Sequence, residues 1–292
     1  NSGVYAQNGD IVVTGAFDQD GAGTNALGGD LTAAGIEFDG ASTLTAATVN
    51  MDSGGNALTF NSTLAGGGND LNLTAGAGDI LFGDTVSGMG TTTVASANDV
   101  TAVSTFGGAD FVQGTGTGTT DFQGTVDLSG NFDFTGQNLT LQGAGNDVDG
   151  TMDVTNAGDF TTESGADLIV NGAFTQDGTG NSSIGDNITS ETAGIAFGVG
   201  TVQLTDTVAM DSSAGGGNIV FGGGLTGGAN NLNLAAGVGN ITFTGAAAGL
   251  GAVDIQSATA VNIDSEFAGA SLTVTNAGTF TTASGANITL TG

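Results

Sequence analysis

Pairs of apolar residues with one residue between them recur along the whole chain, and Gly, Asn, Asp, Ser and Thr fill the gaps. Leu58 and Phe60 form one such pair. Side chains alternate between the two faces of a strand, so each pair predicts a short strand with two side chains on one face. The pairs return at regular intervals, from Leu58 to Ile80 and from Val148 to Leu168, which indicates a unit that repeats along the chain.

This regular return predicts an all-β fold, a parallel, right-handed β-helix or solenoid of roughly 14 coils of about 20–22 residues, with no α-helix. We expect residues 1–292 to form a single continuous solenoid, and a string of β-sandwich domains is the weaker alternative. The chain contains no Pro, which would remove a ladder hydrogen bond wherever it entered a central strand. Phenylalanines such as Phe17, Phe106, Phe174, Phe267 and Phe280 are expected to stack inside the coils.

The sequence also contains a longer repeat, which spans several of the short units. VTNAGDFTTESGADLIVNG at 154–172 returns as VTNAGTFTTASGANITLTG at 274–292. Other phrases match across the chain, so the long repeat covers approximately 1–157 and 158–277, with a further copy starting near residue 278. The segment 111–151 is present in the first copy and missing from the second. We interpret it as a two-coil insertion, because whole coils can be added without changing the faces of later strands.

The charge is entirely of one sign. The chain has 29 Asp and Glu residues and no Lys, Arg or His, for a net charge of −29. Without cations it has no means of contacting phosphates, so nucleic acid is excluded as a partner. No apolar run approaches the roughly 18 residues of a membrane helix, so no membrane insertion is expected. The absence of Lys and Arg also removes every trypsin-type cleavage site, which fits an extracellular or cell-surface location.

Catalysis would have to be built from Asp, Glu, Ser, Thr or the single tyrosine, Tyr5, because His, Cys, Lys and Arg are all absent. Triads based on His are therefore excluded. Enzymes that degrade acidic polysaccharides generally need cationic side chains to stabilise developing charge. A neutral-sugar hydrolase with two carboxylates is the least favoured function. We expect the protein not to be an enzyme and to require no cofactor.

Calcium is the ion that this composition favours, because hard cations bind carboxylate, carbonyl and amide oxygens. GGGNDLNL at 66–73 and GAGNDVDG at 143–150 loosely resemble calcium repeats of β-rolls, although a turn is the favoured interpretation of each. Stacking also brings acids together, since Asp153 follows Asp133 by one expected coil. Opposed like charges destabilise a sheet. Asp133 and Asp153 are therefore the predicted inter-coil site for a divalent cation such as Ca²⁺.

Thr-x-Thr steps, for example in TTTV at 91–94 and in TVTNAGTFTT at 273–282, suggest an ice-binding face. Such a face needs Thr at the same place on many successive coils, and the matching positions often hold Asp, Asn or Ala. The alternative is that Thr is simply a favoured outward residue of strands.

Runs such as MDVTNAGDFTTESGADLIVNG and GGANNLNLAAGVGNITFTG resemble the repeats of filamentous-haemagglutinin and autotransporter-type adhesins of bacteria. The resemblance covers essentially the whole chain. It implies right-handed parallel coils, export across the outer membrane, and a role in adhesion or in a biofilm matrix. The chain differs from that pattern in lacking every basic residue.

These observations together predict an extracellular structural protein, a solenoid of a fibre, sheath, matrix or adhesin stalk. No cap is recognisable at either end, so we expect a longer array or pairing between subunits. The predicted partners are copies of the same chain, joined head to tail or laterally, together with divalent cations. The alternative is a surface adhesin, or an ice-binding or carbohydrate-binding module.

Overall fold

Short parallel strands make up almost all of the regular structure. A computed structural model describes residues 3–292, and in this range every strand pairs in parallel with strands about one coil away in sequence. The result is an all-β parallel β-solenoid of about 14 turns, with no helix in the described range. Accordingly, nothing among those residues forms a helix that could span a membrane. The predicted fold class is confirmed.

The contacts divide the chain into two compact units, and Asn1–Gly143 is the first. Its strands are β1 Val4–Gln7, β2 Ile11–Val12, β3 Phe17–Gln19, β4 Thr24–Leu27, β5 Leu31–Thr32, β6 Ile36–Phe38, β7 Ser42–Leu44, β8 Thr48–Asp52, β9 Leu58–Phe60, β10 Leu64–Ala65, β11 Asp70–Thr74, β12 Ile80–Phe82, β13 Val86–Ser96, β14 Val100–Ala102, β15 Phe106–Gln113, β16 Thr119–Phe122, β17 Val126–Leu128, β18 Phe132–Gly136 and β19 Asn138–Leu141.

The second unit is Ala144–Gly292. Its strands are β20 Asn146–Val148, β21 Met152–Asn156, β22 Asp159–Thr162, β23 Leu168–Val170, β24 Phe174–Gln176, β25 Asn181–Ile184, β26 Ile188–Ser190, β27 Ile195–Phe197, β28 Val202–Leu204, β29 Val208–Asp211, β30 Ile219–Phe221, β31 Leu225–Thr226, β32 Leu232–Ala235, β33 Asn240–Phe243, β34 Ala247–Ile263, β35 Phe267–Val274, β36 Ala277–Thr282 and β37 Ile288–Leu290. The expectation of one continuous solenoid over residues 1–292, with an insertion at 111–151, stays a prediction.

Strand registers define the length of each coil. Leu58 pairs with Ile80, as the spacing of the apolar pairs predicts. The coil is longer in part of the second unit, where Ile195 pairs with Ile219. Corner turns absorb the extra residues, so the strands keep their faces although the coil length varies.

One predicted spacing is wrong. Val148 and Leu168 appeared from the sequence to occupy equivalent places on successive coils. In the structure Val148 pairs with Val170, and Leu168 pairs with Asn146, so the coil here is longer than the sequence spacing suggested. The error arose because Leu168 and Val170 both face inward, and because the inward position before Val148 is held by a polar residue, Asn146, which is fully buried.

The apolar pairs are confirmed as the inward residues. Both members of each pair are buried, while the residue between them is exposed or half-buried. This alternation is the expected outcome of a strand with one face on the core. The confirmed pairs are Ile36/Phe38, Val49/Met51, Leu58/Phe60, Leu71/Leu73, Ile80/Phe82, Ile219/Phe221, Leu232/Leu234 and Ile241/Phe243.

Phenylalanine rings stack along the interior of each unit. The ring of Phe60 lies 5.4 Å from that of Phe38, with an angle of 11° between the planes, and 5.9 Å from that of Phe82, at 1°. Phe221 and Phe243 are the counterparts of Phe60 and Phe82 in the second copy of the long repeat, and their rings stack at 5.2 Å and 7°. The two copies therefore repeat the packing of the core as well as the sequence.

The interior also contains paired polar side chains at some corners. Gln176 donates from Nε2 to Oδ1 of Asn156 at 2.6 Å, and both residues are almost completely buried. In the first unit Thr120 Oγ1 donates to Gln113 Oε1 at 2.8 Å, again inside the solenoid. A buried polar group is tolerated when it is hydrogen-bonded. The sequence pattern predicted inward apolar pairs and stacked phenylalanines, and it missed these polar pairs.

The two occurrences of the repeated phrase lie on different faces of the second unit. Following the register partners of Val154 from coil to coil leads to Thr282 in the last coil, and not to Val274. Val274 belongs to the series of partners that passes through Leu168. The phrase is thus about one coil in length, and it can begin on more than one face.

The last coil differs from the others in exposure. Phe160, in the first occurrence of the phrase, is completely buried, whereas its counterpart Phe280 is 43% exposed. Ile288 and Leu290 are exposed by 37% and 46%. The prediction that Phe280 packs inside is therefore wrong, while Phe106, Phe174 and Phe267 are buried as predicted. Phe17, in the first coil, is half-buried, and its ring lies 5.4 Å from that of Phe38. The reason is that no further coil of the described chain covers the strands β36 and β37.

Candidate functional site

Acidic side chains are the only charged groups available for a site, and many of them lie at the corners between strands. Asp70 begins β11 after three glycines and an asparagine, and its Oδ1 accepts a hydrogen bond of 2.8 Å from the backbone N–H of Thr91 on the next coil. The carboxylate therefore accepts a backbone N–H of the next coil just before the ladder pair of Leu71 and Thr92. We call this arrangement a coil cap: an Asp or Asn Oδ1 that accepts the N–H of a residue about one coil later.

Coil caps recur through the first unit. Asp99 accepts from Thr119 N–H at 2.7 Å, and Asp110 accepts from Asn131 N–H at 2.7 Å. Each cap links two coils outside the strand ladder. Among the described contacts of this unit the capping residues are Asp10, Asp30, Asp70, Asp79, Asp99 and Asp110.

In the second unit the described coil caps are formed by asparagine side chains. Asn231 Oδ1 accepts the N–H of Ala252 at 2.8 Å, and Asn187 Oδ1 accepts the N–H of Ala209 at 2.8 Å. The described capping residues of this unit are Asn181, Asn187, Asn218 and Asn231. An amide oxygen therefore replaces a carboxylate oxygen without a change in geometry, so the cap requires an acceptor and not a charge.

The GGGNDLNL segment, one of the two candidate calcium motifs, is such a corner. Asn69 Nδ2 donates to the carbonyl oxygens of Gly66, at 2.9 Å, and of Leu44, at 3.1 Å. Asp70 accepts the N–H of Thr91, as described above. Both side chains are used to satisfy backbone groups, which supports the interpretation of the segment as a turn.

The predicted cation residues Asp133 and Asp153 belong to different units. Asp133 is half-buried in β18, where its register partner within the first unit is Val112. Asp153 is exposed in β21, and its partner within the second unit is Thr175. Neither faces a carboxylate on the coil that it pairs with in its own unit. A divalent cation shared by Asp133 and Asp153 stays a prediction.

A pair of opposed carboxylates that the sequence reasoning missed lies near the start of the chain. Asp18 and Glu37 are direct register partners in β3 and β6. Partial desolvation raises the pKa of Asp18, although its side chain is exposed, and the nearby carboxylates of Asp20 and Glu37 raise it further. The step from Asp18 to Glu37 is slightly shorter than the coil spacings that the apolar pairs indicate. A sequence search that also allowed this shorter step would have found the pair.

Asn61 partly offsets the repulsion in this region. Its Nδ2 donates to Glu37 Oε1 at 2.8 Å and to Asp39 Oδ1 at 2.9 Å. The pKa of Asp39 is lowered by its hydrogen bond from Asn61 and then by the N–H of Gly21, both of which favour its ionised form. Amide side chains therefore hold the carboxylates of neighbouring coils together. In residues 3–292 no group of three or more Asp or Glu side chains is arranged to hold a metal ion.

The outward positions along one face of the first unit hold residues of several types. One series of register partners in the first unit runs Glu37, Thr59, Leu81, Thr101 and Asp121. Threonine is therefore interrupted by acidic and apolar side chains along this face.

The depressions on the surface are shallow. One, of about 440 Å³ in the first unit, is lined by Thr85, Ser87, Gly107, Gly108 and Asp127 among other residues. It contains a single carboxylate and no aromatic side chain.

Comparison of the chain with protein-family models, with curated proteins and with solved structures finds no match. What the structure shows is therefore a parallel β-solenoid repeat fold, which no family or homologue identifies further.

Proposed function

We propose that this protein is an extracellular or cell-surface structural protein, a β-solenoid element of a fibre, sheath, matrix or adhesin stalk, and not an enzyme. The observation that carries the proposal is the exchange of Asp for Asn at the coil caps. The hydrogen bond is 2.8 Å long at both Asp70 and Asn231. Because catalysis by carboxylates depends on charge and proton transfer, a site that tolerates this exchange is better explained by a structural role.

The proposed mechanism is mechanical. The stacked rings and buried aliphatic pairs exclude water from the interior, and the ladder and coil caps join each coil to the next. Burial of apolar surface supplies most of the stability of such a fold. The resemblance to filamentous-haemagglutinin and autotransporter-type adhesins fits this role. With a net charge of −29, divalent cations are the expected counterions on the surface, with calcium as the first candidate.

The proposal includes assembly of copies of the chain end to end. It is supported by inward apolar side chains that stay accessible on the outermost coils: Ile11 and Phe17 are only half-buried in the first coil, and Phe280 and Leu290 are 43% and 46% exposed in the last. The unpaired edge of a strand is a template for pairing with another chain. Two open coils of the same fold could therefore continue the ladder from one copy to the next.

A lysine on the outer strand tests assembly directly, because charged side chains on an edge block pairing. Thr281 lies in β36 of the last coil, and Thr242 lies on the same series of register partners two coils earlier. Sedimentation velocity and electron microscopy of the wild-type chain should show end-to-end oligomers that grow with concentration. T281K should shift the oligomers toward single chains by about tenfold in concentration, and T242K should leave them unchanged.

Wild-type chains that sediment as monomers at every concentration would contradict end-to-end assembly. An equal effect of both lysines would show that added charge acts through the whole surface and not through the outer strand. Release of reducing ends from a panel of neutral polysaccharides would contradict the non-enzymatic role, independently of the assembly result.

A further inference from the structure

Two Asn-Gly dipeptides occur in the chain, Asn8–Gly9 and Asn171–Gly172. In this dipeptide the backbone nitrogen of Gly can attack the side-chain amide carbon of Asn, because Gly has no side chain to obstruct the approach. The reaction needs a free glycine N–H and a backbone that can move. The two dipeptides have the same chemistry, and they differ in their surroundings.

Hydrogen bonds and close packing against the neighbouring coil fix the backbone of Asn171–Gly172. The N–H of Gly172 donates to Gly150 O at 2.7 Å, and its carbonyl oxygen accepts from Ser190 Oγ at 2.7 Å. The carbonyl oxygen of Asn171 accepts the N–H of Thr192 at 2.8 Å. A side chain at position 172 would lie 2.7 Å from Gly150 O, which shows how closely the neighbouring coil approaches. Attack by this nitrogen requires the corner to open first.

Asn8–Gly9 lies at the corner between β1 and β2, and both residues are exposed. No heavy atom lies within 4 Å of the place where a Cβ on Gly9 would be. The carbonyl oxygen of Gly9 accepts from Gln7 Nε2 at 3.1 Å, but its N–H takes part in no hydrogen bond among those described for residues 3–292. The attacking nitrogen is therefore already free.

We propose that Asn8 is a site of spontaneous deamidation in the folded protein, and that Asn171 is protected. Hydroxide from water removes the proton of Gly9 N–H, and a bond forms between this nitrogen and Cγ of Asn8. The bond from Cγ to Nδ2 breaks, and the amide leaves as ammonia after taking a proton from water. Water then opens the five-membered succinimide at either carbonyl, which gives aspartate or isoaspartate at position 8.

The product changes the first corner in two ways. Aspartate adds one negative charge to a chain that already carries −29. Isoaspartate also adds one carbon to the backbone path between the buried Gln7 and strand β2. The register of β2 with Leu31 and Thr32 is set by that path, so the pairing of the first coil should loosen as the protein ages.

Peptide mapping of the folded, full-length chain after incubation at mildly alkaline pH tests the proposal. Cleavage before Asp residues releases residues 1–9, and separately residues 167–176, from the unreacted chain, so each dipeptide lies in its own peptide. Aspartate formed at position 8 or 171 adds a cleavage site there, and the shortened peptide is counted as product. Tandem mass spectrometry assigns the change from amide to carboxyl to one residue. We expect position 8 to react at least about tenfold faster than position 171, because the hydrogen bond and packing of Gly172 must be broken first.

Two controls make the result decisive. In denaturant the two sites should react at similar rates, because the protection at Asn171 comes from the fold. G9A should slow the reaction at Asn8 without changing the fold, because the site has space for a methyl group. Equal rates at the two sites in the folded chain would overturn the proposal, as would an Asn8 that persists while Asn171 is converted.

Discussion

The coil caps of the first unit use aspartate, and those described in the second unit use asparagine. Asp70 and Asn231 occupy equivalent places in the two copies of the long repeat, and each accepts a backbone N–H of the next coil at 2.8 Å. The hydrogen bond is the same although one acceptor is charged and the other is neutral. This difference teaches that the acidic composition, which dominates the sequence, is not what builds the corners. A side-chain oxygen within hydrogen-bond distance of the backbone N–H on the next coil is sufficient.

A second difference between the two corners concerns the backbone. Gly68 has φ of +83°, and its N–H donates to Gly88 O at 2.7 Å. The equivalent residue in the second unit is Ala229, which has φ of +68° and donates to Gly249 O at the same distance. Left-handed backbone is strained for any residue with a side chain. The second corner therefore keeps its shape at some cost in stability.

The largest effect on the two units should come from removing a stacked ring. F60A and F221A each leave a cavity in an equivalent place, so each should lower the free energy of unfolding by about 3–5 kcal/mol. F280A should cost much less, because its ring is already 43% exposed. Guanidinium unfolding followed by far-UV circular dichroism measures the losses, and hydrogen exchange shows which coils open. A large loss for only one of the two buried rings would break the equivalence of the units.

Removing the acceptor of a coil cap should have the next largest effect. D70A and N231A each leave one backbone N–H without its partner, so each should lose about 1–2 kcal/mol by the same unfolding measurement. Equal losses are expected because the two hydrogen bonds have equal lengths. If D70A were costly and N231A neutral, the charge of Asp70 would matter beyond its oxygen.

Exchanging the left-handed residues should change stability in opposite directions. G68A should destabilise the chain by about 1 kcal/mol, and A229G should stabilise it by a similar amount. A methyl group at position 68 would meet no heavy atom within 4 Å, so the effect there reports backbone strain alone. Thermal unfolding of the two variants beside the wild type measures both shifts. Two shifts of the same sign would mean that the corners are not equivalent.

The smallest expected effect is a pKa shift at the opposed carboxylates of the first unit. E37Q removes a charge that raises the pKa of Asp18, so this pKa should fall, as measured by NMR titration of the side-chain carboxyl. D52N, on another strand, is the control and should leave the value unchanged. A pKa of Asp18 that did not move in E37Q would show that the Glu37 charge has no part in raising it.

The pH dependence of stability follows from the same shifts. The raised pKa of Asp18 means that its stabilising contribution is fully present below its unfolded pKa and is lost as the pH rises through the folded value. The lowered pKa of Asp39 acts in the opposite sense, since its contribution is present above the unfolded pKa and is lost as the pH falls through the folded value.

The fold could be predicted from the sequence because the inward positions carry a strong periodic signal. Leu58, Phe60 and Ile80 show both the alternation within a strand and the step between coils. The paired polar residues of the interior gave no such signal. Gln176 and Asn156 look like turn residues in the sequence, and only their contact with each other explains why both are buried.

The coil caps could not be predicted because the acceptor and the donor lie a whole coil apart in sequence. An Asp or Asn beside Gly indicates a turn whether or not it also binds the next coil. The exact coil length decides which N–H it meets, and this length varies from the short step between Asp18 and Glu37 to the long step between Ile195 and Ile219. The opposed pair of Asp18 and Glu37 was missed for the same reason.

The most direct measurement is a thermal melt of one variant in which Asp30, Asp70, Asp99 and Asp110 are all replaced by Asn. Each of these carboxylates accepts a backbone N–H of the next coil. If the caps require only an oxygen, the variant should melt at the temperature of the wild type or slightly higher, since four repelling charges are gone. A fall in melting temperature of more than about 5 °C, beyond what roughly 1 kcal/mol would cause in a chain of this size, would contradict the account.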